Sequence, residues 1–129
     1  MTTPDPAVVE AAASAIVEAF AATDTERYFA GFAPDATFIF HPEPHRLEDR
    51  AGYEKLWRGW LESGWRVTSC TSTDRRTQVF DGGAVFSHTV ATSVQTADGP
   101  ESYRERESIV FIAEGDRLLA VHEHLSPFT

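Results

Sequence analysis

The sequence predicts an α+β domain. Three observations carry that reading. Apolar residues recur at helical spacing through the first half. From Trp65 onward the period changes to two. The period-two runs are joined by residues with tight-turn chemistry. The length, 129 residues, is that of one ordinary domain, and a chain of this size can bury a real core unaided. A single domain over 1–129 is therefore expected, with three N-terminal helices packed on an antiparallel sheet.

Residues 7–22 are Ala-rich, with Val9, Ala13, Ile16 and Phe20 along one stripe, and Asp5-Pro6 supplies a cap and a first-turn residue. Asp24 caps a second, short helix whose Tyr28, Phe29 and Phe32 form an aromatic face before Gly31 and Pro34 close it. Residues 36–41 (ATFIFH) are a short strand, and 41–50, with two prolines, a loop over an opening. A third helix over roughly 50–62 places Tyr53, Leu56, Trp57, Trp60 and Leu61 together and ends at Ser63-Gly64. Four strands follow at 65–80, 84–97, 102–114 and 117–126, divided by Asp81-Gly82-Gly83, Asp98-Gly99-Pro100 and Gly115-Asp116. Such short links pair consecutive strands antiparallel.

Composition excludes several classes. At 42% hydrophobic and 24% charged the chain is globular rather than disordered. No apolar run approaches the ~20 residues of a membrane span, and the N-terminus lacks the basic and apolar regions of a secretory signal. A lone Cys70 builds no disulfide framework, so the cytoplasm is the expected location. The net charge of −9 opposes a phosphate backbone or an anionic bilayer, and the longest basic run is only Arg75-Arg76. No nucleic acid and no membrane are expected as partners. The acids concentrate toward the ends, whereas residues 36–70 carry five acids and five bases, a zone of paired charge.

Alternation assigns faces. In the second long strand Ala84, Phe86, His88, Val90 and Val94 share the face that wants a core, which points His88 at the helices. In the third, Arg104, Arg106, Ser108, Val110 and Ile112 lie opposite Tyr103, Glu105, Glu107, Ile109 and Phe111. In the last, Leu118, Ala120, His122, His124 and Ser126 lie opposite Leu119, Val121, Glu123 and Leu125. Both faces of that strand start apolar, which suggests cover by the helices on one side and by a partner subunit on the other.

The run Arg106-Glu-Ser-Ile-Val-Phe, a Gly-Asp turn, and Leu-Leu-Ala-Val-His122-Glu-His124-Leu-Ser126 resembles the ending of SnoaL-like domains, in the nuclear transport factor 2-like (cystatin-like, cone-shaped α+β) superfamily. Phe32-Ala-Pro-Asp35-Ala-Thr-Phe-Ile-Phe resembles that family's second-helix-to-strand junction. The calcium/calmodulin-dependent kinase association-domain-like and ketosteroid-isomerase-like branches are the most similar. The resemblance implies a curved sheet wrapped around the first helix, a funnel-shaped pocket, and homodimers formed through the open sheet face. It spans isomerases, cyclases, dehydratases and protein-binding modules, so it does not choose a reaction. It also implies an inward-facing arginine at Arg106. Isomerase and cyclase relatives use a pocket carboxylate as base, and the strand after Asp35 supplies none.

Two readings of function follow. In the first the chain is a small-molecule-binding pocket protein, a cofactor-free isomerase, cyclase or lyase acting by general acid–base chemistry on an apolar or acidic ligand. His124 or His88 is then the acid or base, and Arg106 holds an anionic group. Trp57, Trp60, His41, His122 and Phe86 line the ligand. In the second reading the chain is a non-catalytic dimerisation or interaction module with a vestigial pocket. His122 and His124 also have the spacing of two metal ligands, with His41, His88 or Glu43 as a third, but the expectation is no metal and no cofactor. Each candidate has a structural alternative. The aromatic stripe of Tyr53, Trp57, Trp60 and Trp65 suits a core, the histidine pair suits a strand end, and Arg106 suits a surface ion pair. Glu123, among Leu119, Val121 and Leu125, is either interfacial or a buried acid with a raised pKa.

Overall fold

The computed structural model describes residues 2–128. Helix α1 (Pro6–Ala21) starts where Asp5 accepts the Ala7 N–H and Pro6 occupies the first turn. Helix α2 (Thr25–Ala30) is capped by Asp24, and α3 (Arg50–Glu62) by Asp49, which accepts the Gly52 N–H at 2.8 Å. Between α1 and α2, Thr23 adopts a positive φ of 50°. Its hydroxyl compensates by bridging both backbone groups of Val67, donating to the carbonyl and accepting from the N–H.

The strands are β1 (Phe32–Phe40), β2 (Arg66–Phe80), β3 (Gly83–Thr96), β4 (Gly99–Glu114) and β5 (Arg117–Pro127), in sheet order β1-β5-β4-β3-β2. Strands β2 to β5 form the expected antiparallel meander. Two features differ from the sequence reading. Strand β1 begins four residues earlier, at Phe32, and it runs parallel to β5, so the sheet is mixed. Register breaks between Phe32 and Thr37, which takes Pro34 out of the ladder where it would cost a hydrogen bond.

Bulges curve the sheet. One falls between Val67 and Ser69, and one between Thr73 and Arg76, where Asp74 takes a φ of 51°. A third lies in β5, where the partners of Val110 and Phe111 are His122 and Ala120. Val121 is the extra residue, and it reverses the phase of the strand. Ala120 and Glu123, three apart, are consequently both buried. Strict alternation had grouped Ala120 with His122 and His124, and the bulge separates them.

The concave face of the sheet packs on α1, which lies mainly against β2 and β3, while α3 packs on β1. The core is strongly aromatic. Tyr28, Phe29, Phe32, Phe38, Tyr53 and Trp57 meet in edge-to-face and stacked contacts, with Trp57 wholly buried and donating from Nε1 to Thr25 Oγ1 at 2.9 Å. The loop after β1 folds back, and Phe38 and Leu47 exchange backbone hydrogen bonds of 2.9 and 3.0 Å. Among the described residues, no helix is long and apolar enough to cross a membrane.

Candidate active site

The helices and the concave face of the sheet enclose a cavity of about 250 Å³. Phe20, Tyr53, Trp60 and Trp65 form aromatic walls, and Ile16, Val90 and Leu125 add aliphatic surface. Pro42 and Tyr103, both exposed, mark the mouth. Four carboxyls line it: Glu43, next to Pro42, and Glu105, Glu107 and Glu123 on the sheet.

The sheet carboxyls are placed by strand pairing. Glu105 and Glu107 alternate with outward residues on β4, and Glu123 enters from β5 opposite Ile109, diagonally beside Glu107. Glu107 Oε1 lies 2.6 Å from His88 Nε2, and His88 Nδ1 lies 2.6 Å from Ser72 Oγ. With Glu107 ionised, Nε2–H donates to the carboxylate and the serine hydroxyl donates to Nδ1. The His88 side chain is fully buried, so the imidazole is a fixed support behind Glu107. Glu123 is only 2% exposed. Burial pushes its carboxyl well above the usual carboxylate range, the charge of Glu107 and a hydrogen bond to it add to the rise, and Glu105 contributes further. Glu123 therefore favours its protonated form where it meets Glu107. Nearer the mouth, Glu105 is also raised, mainly by burial, while His41 opposes the rise from 2.6 Å. Tyr28 and Tyr53 join through their hydroxyls at 2.9 Å, and burial followed by the Glu123 charge drives both phenols well above their ordinary value.

The predicted site residues divide into three groups. Trp60 lines the cavity, His88 stands immediately behind Glu107, and His41 clasps Glu105 near the mouth. Trp57 and Phe86 are wholly buried core residues outside the lining, Phe86 lying beneath the Arg75 guanidinium at 5.0 Å. Arg106, His122 and His124 are on the opposite face of the sheet. Arg106 is exposed and stacks on the Phe128 ring at 4.5 Å, so the expected anchor for an anion does not reach the cavity. The reason is strand phase: Glu105, Glu107, Ile109 and Phe111 take the inner face of β4, which leaves Arg104, Arg106, Val110 and Ile112 outside. His122 Nδ1 meets Thr37 Oγ1 at 2.8 Å, and burial first, then the charge of His124, lowers its pKa. Among the described residues, no three His, Cys, Asp or Glu side chains converge in a geometry fit for a metal ion.

The sequence reading passed over Glu107 and Glu105 as site residues. The signal was present, because both share a face with Ile109 and Phe111, the bulkiest apolar pair on the strand.

A family model described as a SnoaL-like domain matches residues 9–129. The chain belongs to the SnoaL-like domain family. Comparison with curated proteins gives no match. Among solved structures, a protein named as a scytalone dehydratase from Novosphingobium aromaticivorans superposes with a TM-score of 0.82 at 12% identity, over 95% of this chain and 83% of that one. The CaMKII hub of S. rosetta gives 0.79 at 17% identity, over 99% of this chain and all of its own. A Catenulispora acidiphila protein in complex with S-DNPA gives 0.75 at 18%, over 92% and 90%. These likenesses establish the cone-shaped, cystatin-like fold of this SnoaL-like domain.

Proposed function

We propose that this SnoaL-like domain is a cofactor-free lyase that removes water from, or adds it to, a small and largely apolar molecule held in the cavity. The observation that carries the reading is the Glu107–Glu123 pair, a buried carboxyl that retains its proton beside a carboxylate braced by His88. Elimination of water needs an acid at the leaving hydroxyl and a base at the neighbouring C–H. Glu123 supplies the proton to the departing oxygen, and Glu107, with its lone pairs oriented by His88 and Ser72, accepts the proton from carbon. The bond order between the two carbons rises as water leaves, and a proton is restored to the pair. Positive charge developing at the reacting carbon faces Glu107 and the aromatic rings, which favours departure of the hydroxyl. Because Arg106 lies outside, support for an acidic ligand is withdrawn, and the apolar one stands.

The test is turnover of a panel of small cyclic alcohols and hydroxy ketones, followed by the absorbance of the new double bond. Glu123→Gln should lower kcat by about 10²–10⁴-fold with the fold intact. Unchanged kcat in that variant would sink the assignment.

We further infer that two copies pair through the outer sheet face. Arg104, Arg106 and His124 are exposed there, and Ile112 leaves 38% of its apolar surface open.

A further inference from the structure

The cavity's charge is unusual for its burial. Four carboxyls line it, Glu43 from the loop after β1 and three from the sheet, Glu105, Glu107 and Glu123, and no Lys or Arg is among the lining residues. Two of the three have an imidazole partner, Glu105 with His41 and Glu107 with His88. Glu123, the most buried, has only another carboxyl. A side chain 98% removed from solvent, aimed into a cavity and partnered only by a like group, is a site without its counter-charge. The cavity wall also carries the aromatic side chains of Phe20, Tyr53, Trp60 and Trp65, a class of ring whose π-face attracts cations.

We infer that the cavity also takes a cationic ligand, a small hydrophobic amine whose ammonium sits against Glu123 and Glu107 and whose hydrocarbon lies on the aromatic walls. This rests on the reading of the cavity as a ligand site, and because the ammonium takes the place of the proton that elimination needs, the amine is a ligand that competes with the lyase's substrate. The charge balance is specific. In the empty cavity the Glu107–Glu123 pair holds one proton and a net charge of −1. An ammonium arriving as R–NH₃⁺ replaces that proton, leaves both carboxylates ionised, and keeps the buried net charge at −1. The displaced proton goes to solvent. Neutral ligands of the same shape cause no such release. The other acids around the cavity point the same way. Cys70 is pushed up to about 11 and Tyr103 to about 12, burial first, with cavity glutamates adding to each.

Isothermal titration of phenethylamine against its isostere 2-phenylethanol, repeated in buffers of different ionisation enthalpy, reads both consequences. The amine should bind at least tenfold tighter near neutral pH and release close to one proton per molecule bound. In Glu123→Gln the preference should fall toward unity, with the alcohol's affinity changed less than twofold. Equal binding of amine and alcohol by the unaltered protein, or tighter binding of the alcohol, overturns the cation assignment and leaves the acid–base reading intact. Binding of neither probe overturns the cation assignment and counts against the cavity as a ligand site altogether. Tighter amine binding combined with unchanged kcat in Glu123→Gln would uphold the cation site and remove the lyase.

Discussion

Glu123 is held where a charge is least welcome, and that gives it a measurable signature. A carboxyl whose folded pKa is raised binds more protons in the native than in the unfolded state between the two pKa values. Its contribution to stability is full below the ordinary carboxylate range and is lost as pH rises toward the folded value. Raising pH from 5 to 8 should therefore lower the melting temperature, and Glu123→Gln should flatten that dependence. At pH 8 the variant should be more stable by about 0.5–2 kcal/mol, the usual gain when a functionally strained group is neutralised. Differential scanning calorimetry across pH checks both. A steeper decline in the variant would contradict the burial argument. His88 acts on the same pair from behind. His88→Asn should reduce kcat and shift the acid limb of the pH–rate profile, whereas a purely structural role would change stability alone.

At the scale of elements, α3 gives the cavity two aromatic walls, Tyr53 and Trp60, beside the three residues that come from α1. It presents Trp57 to the core and Trp60 to the ligand from one turn apart, and it is fixed at its start by Asp49. Trp57→Ala should cost about 3–5 kcal/mol in urea unfolding, since it removes the largest fully buried side chain and orphans Thr25. Asp49→Ala should cost about 1 kcal/mol. The bounds of α1 and α3 and most strand bounds were legible, because caps, turn residues and periodicity act locally, whereas Phe32, read as part of the second helix, opens β1. The site was only half legible. The two-residue turn at Ala97-Asp98 pairs Thr96 with Gly99, and antiparallel counting from there sets His88 opposite Glu107. The histidine and the carboxylate of the relay could thus have been matched from the sequence. Glu123 could not have been counted the same way. Regular pairing from Glu114 and Arg117 sets Glu107 opposite His124, and only the bulge at Val121 brings Leu125 opposite Glu107 and Glu123 inside. Bulges answer to the closure of the whole sheet, not to a local pattern. The parallel pairing of β1 with β5 was illegible for a similar reason, as it joins residues some 85 positions apart with no turn between them.

The whole molecule separates its chemistry by face. Carboxylates and aromatic rings lie inside the cone, while Arg104, Arg106, His122 and His124 lie outside it. The outer set is available for subunit contact without disturbing the cavity. Light scattering at micromolar concentration should give the mass of two chains, and Ile112→Glu should reduce it toward one while leaving phenethylamine affinity unchanged. A single-chain mass for the unaltered protein would remove the pairing. The extra residue in β5 has a consequence for how such a protein could change its trade. Deleting Val121 would erase the bulge and keep Glu123 inside opposite Ile109, whereas flattening the bulge with Val121 retained would turn Glu123 outward and His124 inward. Loss of the bulge alone would then exchange an acidic interior for an imidazole-bearing one without altering any side chain. A fold that stores two alternative sets of reactive groups back to back, with one residue of slippage between them, offers evolution a short step between different chemistries.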